Sequence, residues 1–265
     1  MKKVDLKIAL LLSLFCFVAG FFVVPYQMQV LEAYLSSSEL KEMIGEQSIP
    51  IRVLSLITSL QLFLISLVLA FGGIKLARKT GLAFPLLESI FEKGKKVTFH
   101  RKPFFLSVLF GVITGFLLIG SDKFYFQNQI PQLGETEPQF SLLGLVTGVL
   151  YGGVFEEVLL RLFLMSLLVW LFYKVFNRKN KNVPKWCYWI SILLAAGLFA
   201  AGHLPATTML FGDLTGMILF RCFLLNGVGG ILFGYLYWKK GLEYSMTAHM
   251  FAHLSMQLLF IPLMY

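Results

Sequence analysis

The sequence predicts an all-helical membrane bundle of about seven transmembrane helices, and three observations lead there. Hydrophobic residues fill 57% of the 265 positions and charged ones only 14%, with a mean hydropathy of +0.77, well above that of a water-soluble domain. The apolar residues fall in runs of roughly 20, the length an α-helix needs to cross a hydrocarbon core about 30 Å thick. Lys and Arg collect on alternate connections between those runs. Disorder would need low hydrophobicity, and a disulfide-stapled module would need dense cysteine, so both classes are excluded. The net charge of +9 encodes orientation rather than nucleic-acid binding, since no phosphate-binding loop or basic aromatic motif accompanies it.

The runs lie near residues 8–24, 53–76, 104–121, 141–173, 187–206, 216–238 and 244–263. The first follows Lys2, Lys3 and Lys7, as in a signal peptide, but its length and the lack of a small-residue cleavage site before Pro25 favour a retained anchor. Between the second and third runs stand Arg78, Lys79, Lys93, Lys95, Lys96, Arg101 and Lys102; the stretch 81–91 among them is either a surface-lying amphipathic segment or a plain loop. The fourth run has too many residues for one upright α-helix at 1.5 Å per residue, so it is expected to tilt strongly or to begin outside the core. Lys174, Arg178, Lys179, Lys181 and Lys185 follow it, and Lys239 and Lys240 follow the sixth. The remaining connections are acidic, with Glu32, Glu39, Glu42 and Glu46, then Glu135 and Glu137, then Asp213. This alternation predicts a cytoplasmic N-terminus and an outside C-terminus.

Glycines four apart, at 111 and 115, at 144, 148 and 152, and at 230 and 234, read as close helix packing rather than chemistry. Cys16, Cys187 and Cys222 are scattered in apolar stretches and read as small buried hydrophobes.

Ionisable groups at membrane depth are costly and therefore candidates for function. The fourth run carries Glu156, Glu157 and Arg161; Glu157 and Arg161, four apart, share a face and can pair, whereas Glu156 points elsewhere with no partner in its own helix. The fifth ends with His203, and the seventh carries His249 and His253, again four apart; of four histidines only His100 lies outside a run. A glutamate and histidines in a dry pocket suit water activation, with Glu156 as general base sharing the water with His203, and His249 and His253 donating to an oxyanion. The same groups are also candidate zinc ligands, as Glu156, His203 and His249. The reading leans to the metal-free mechanism. No H-E-x-x-H motif is present, nor an intramembrane aspartate pair.

These residues resemble the CPBP family, the Abi or CAAX-protease-like group that includes the type II CAAX prenyl endopeptidases. Glu156, Glu157 and Arg161 match its E-E-x-x-x-R motif, Phe199 and His203 its F-x-x-x-H motif, and His249 its final histidine; the family usually has Asn or Asp where this chain has His253. The resemblance covers roughly residues 140–260. It implies an intramembrane endopeptidase acting on membrane-associated or lipidated peptides within the lipid bilayer of a bacterial plasma membrane, with Glu156, His203, His249 and His253 catalytic and Glu157 and Arg161 supporting them. It also implies a division into residues 1–139, N-terminal helices with a cytoplasmic basic loop, and 140–265, the catalytic core. The rival readings are a non-catalytic scaffold or bacteriocin-immunity-type protein of the same family, and a small proton-coupled transporter.

Overall fold

The computed structural model describes residues 3–44, 49–92, 94, 96–97, 99–135, 137–176 and 182–265. Lys2, Glu46, Lys93, Lys95, Arg178, Lys179 and Lys181 of the charge pattern lie outside the described residues. Among the described residues the fold is all-helical, and seven helices are long and apolar enough to cross a membrane: Lys3–Tyr34, Ile51–Thr80, Arg101–Asn128, Leu142–Phe176, Lys185–Phe211, Gly216–Lys239 and Leu242–Met264. Each coincides with one of the seven apolar runs, and the first, second, third and fifth extend past theirs by several residues, because helices continue through polar flanks until a turn residue stops them.

Helices α1 (Lys3–Tyr34) and α3 (Ile51–Thr80) pack along each other, with α2 (Ser37–Ile44) between them in sequence. Gly20 makes that approach close, since a Cβ there would strike the backbone of Ser59. At one end the Arg78 guanidinium ties the helices together, bonding Asp5 and standing 2.8 Å from Glu88. The Ile8, Leu12 and Cys16 side chains of α1 are buried in the core, and all three cysteines are free and buried, as expected. Residues 85–91 form a short helix, α4 (Pro85–Phe91), docked on the bundle: Leu82 and Phe84 are buried beside it, and Glu243 accepts the Leu86 amide.

Helix α5 (Arg101–Phe124) leads through the short α6 (Pro131–Glu135) to the fourth span. That span opens as α7 (Leu142–Thr147), runs with π-type turns over Gly148–Glu156 and Val158–Met165, and closes as α8 (Ser166–Phe176). A π-turn closes its hydrogen bonds one residue later than an α-turn, so it is wider and rises less per residue. This shortens the span only slightly, and its 35 residues still exceed a core about 30 Å thick, in keeping with a tilted span or one that begins outside the core.

The fifth span divides into α9 (Lys185–Gly202) and α10 (Leu204–Phe211), with His203 at the break and Pro205 just beyond it. Helix α11 (Gly216–Lys239) packs on α9 through Gly230 against Ala196 and Gly234 against Ile192. Gly241, at φ +122°, reverses the chain into α12 (Leu242–Ser255), a conformation that a side chain would oppose. A π-turned segment, Met256–Phe260, and α13 (Ile261–Met264) complete the seventh span. Helix α12 is central. Gly111 and Gly115 of α5 lie on its backbone at Ala248 and Ala252, while Gly148, Gly152 and Gly153 of the fourth span face His253, His249 and Met250.

Candidate active site

Glu157 and Arg161 form the pair expected from their spacing, with Arg161 Nη1 3.3 Å from Glu157 Oε1 and both side chains almost fully buried. An unpaired guanidinium would be prohibitive at this depth, and its surroundings reduce the cost. Arg161 Nη2 donates to the Gly230 carbonyl at 3.2 Å, and the Phe199 and Phe233 rings stand 5.5 Å from its Cζ, in cation–π range.

Glu157 does more than balance Arg161. Its Oε1 accepts a hydrogen bond from His249 Nδ1 at 2.9 Å, and its Oε2 lies within hydrogen-bond reach of Ser245 Oγ. Ser245 Oγ is also 2.8 Å from the Phe233 carbonyl, so its single proton serves one acceptor at a time. Because a carboxylate only accepts, the His249 proton sits on Nδ1 and Nε2 is left to face the other way. That nitrogen stands 3.6 Å from Glu156 Oε2. The neighbouring glutamates thus divide the labour: Glu157 is sealed in the core, while Glu156 keeps 15% of its side chain exposed.

His203 is set by the helix break. Its Nδ1 bonds the Phe199 carbonyl at 2.9 Å, four residues back, and its ring meets the Phe199 ring edge-on at 4.6 Å. Phe199 therefore serves both motifs, flanking Arg161 and orienting His203. His253 stacks on His249 at 5.2 Å and 16°. A Cβ on Gly148 or Gly152 would collide with the His253 ring. The glycine rows pack closely, as their spacing predicts, and at these two positions what they pack against is the imidazole rings.

Glu156, His203, His249 and His253 line one cavity of about 380 Å³. From positions along the sequence, His203 and His249 belong at opposite depths. The π-turned fourth span, the break at His203 and the glycine seats bring them to a common level. Ser245 and Asn226, also at or beside the cavity, escaped sequence reading. Ser245 was findable, since it precedes His249 and His253 at steps of four on one helix face. Among the described residues no three His, Cys, Asp or Glu side chains are placed to hold a metal ion together.

The apolar lining includes Val23, Leu118, Leu225 and Met256, with Gln27, Thr114 and Asn226 as further polar groups. The walls are thus largely apolar around one glutamate and three histidines. Residues 138–255 match the family model described as type II CAAX prenyl endopeptidase Rce1-like. Neither a curated protein nor a solved structure matches the chain significantly. The matched stretch holds all three motifs and the four residues Glu156, His203, His249 and His253, so this part of the chain, an integral membrane protein, is similar to the CAAX-type protease family.

Proposed function

We propose that the protein is an intramembrane endopeptidase that hydrolyses peptide bonds of membrane-associated or lipidated substrates with a water activated by Glu156 and His203. The supporting observation is the convergence of Glu156 with three histidines from two other spans on one cavity inside the bundle. Glu156 and His203 line the same cavity and share the attacking water, and His249 Nε2 stands 3.6 Å from Glu156 Oε2 beside it. Glu156 takes a proton from that water as hydroxide attacks the scissile carbonyl, and returns it to the leaving amine. Before it reaches the amine, that proton passes from Glu156 to His249 Nε2, 3.6 Å away, from which His249 donates to the oxyanion, and His253 donates beside it. Glu157 and Arg161 act through His249: they fix its tautomer and ring plane, the task a carboxylate performs behind a catalytic histidine. Residues 140–265 form the catalytic core in this reading, and residues 1–139 flank it. The basic connections face the cytoplasm.

The test assumes no substrate. Cells expressing the wild type or Glu156→Gln at matched levels are compared for membrane-bound and released peptides. Peptides produced only with the wild type support the reading and give the cleaved bond. Identical profiles from two properly inserted proteins contradict it and favour the scaffold.

A further inference from the structure

A second cavity, of about 490 Å³, opens at the far end of the bundle from the α10–α11 turn, where the start of α5 meets the end of α11. It is lined by His100, Arg101, Lys102, Lys239, Lys240 and Tyr244. The catalytic reading uses none of them. The four cationic side chains come from two elements far apart in sequence, and among the described residues no acidic group forms an ion pair with any of them.

The placement of Arg101 and Lys102 is electrostatically unfavourable as it stands. They occupy the first turn of a 24-residue helix whose N-terminus has no acidic residue and no side-chain cap. A helix N-terminus is the positive end of its dipole and favours anions, so two cations there repel it and each other. Lys239 and Lys240 add to the same field, with Lys239 Nζ held 3.4 Å over the Trp238 ring. One bound anion answers all of these at once, meeting uncapped amides, a guanidinium fork and ammonium groups together. Apolar Phe99 and the half-buried Pro103 complete the lining beside them, as an interfacial site between membrane helices requires.

We infer that this cavity is a binding site for a phosphate group, carried either by an anionic lipid headgroup or as the free ion. The inference is independent of the protease reading.

The test uses the full chain in a neutral detergent at low salt. Calorimetry follows titration with dioctanoyl-phosphatidylglycerol, dioctanoyl-phosphatidylcholine and inorganic phosphate, for the wild type, Arg101→Gln/Lys240→Gln and Lys123→Gln. Lys123 lies at the other end of the same helix and serves as the control. Saturable binding of about one phosphatidylglycerol per chain is expected, weakened tenfold or more in the double variant and by added salt, and unchanged in Lys123→Gln. Phosphatidylcholine binds at least tenfold more weakly. Inorganic phosphate that competes at similar concentrations assigns the site to the free ion; competition only at far higher concentrations assigns it to the lipid. The inference is overturned if neither phosphate ligand saturates, if the double variant, with an unchanged melting temperature, binds as the wild type does, or if phosphatidylcholine binds equally well.

Discussion

His249 stands between two adjacent glutamates of one helix, its Nδ1 2.9 Å from Glu157 and its Nε2 3.6 Å from Glu156. Neighbouring carboxylates reach the two nitrogens of one imidazole because the segment carrying them turns widely, with its π-type hydrogen bonds meeting at Glu157. Their environments then separate their roles, and the two positions respond differently to the same substitution.

Glu157→Gln leaves Arg161 buried without a carboxylate. Breaking such a pair costs about 3–5 kcal/mol, so a large fall in melting temperature and in yield of inserted protein is expected. Glu156→Gln removes no buried partner and leaves stability within about 1 kcal/mol of wild type. Thermal melts of the two variants in one detergent distinguish them.

Gly152→Ala places a Cβ 2.6 Å from His253 Nε2 and 3.2 Å from His249 Nε2. Displaced rings lose their alignment with substrate, and a misplacement of about 1 Å costs around 10²-fold in rate. Gly227→Ala, in open space on a helix, retains activity and gains up to about 1 kcal/mol in stability. Cleavage rates of both variants, each normalised to folded protein, check this.

His253→Asn keeps a hydrogen-bond donor of similar reach at the position where the family usually carries Asn or Asp. Turnover within about tenfold of wild type is expected, whereas His253→Ala loses 10²-fold or more, the typical cost of one oxyanion donor. Equal activity in the two variants would remove His253 from the mechanism.

Ser245→Ala deletes the hydroxyl shared by Glu157 and the Phe233 carbonyl. A loss of about 1–3 kcal/mol is expected from the under-satisfied buried carboxylate, together with reduced activity as His249 loosens. Ser245→Thr, which restores the hydroxyl, recovers part of the activity but not all of the stability, because its extra methyl has little room. Melting curves and kcat measured on the three proteins decide this.

The spans were legible because lipid requires unbroken apolar runs of a definite length, and the Glu157–Arg161 pair because helical spacing puts residues four apart on one face. The family motifs pointed to Glu156, His203 and His249 one by one. That they share one pocket was expected from their chemistry, but how the helices bring them there was not legible. It depends on the π-turns between Gly148 and Met165, the break at His203, and the fit of imidazole rings over Gly148 and Gly152. These are tertiary facts: a glycine row reads the same whether a helix backbone or a histidine fills the space it leaves. Ser245 was hidden for a related reason, since a serine in a membrane helix usually bonds its own backbone, as Ser13 and Ser107 do here.

The central claim is that Glu156 activates the attacking water. Its most direct test is kcat/KM for the purified, reconstituted protein acting on a peptide identified from the wild-type profile, measured beside Glu156→Gln of matched melting temperature. A fall of 10²-fold or more with stability unchanged is the expected result. Turnover of the glutamine variant within threefold of wild type would contradict the account.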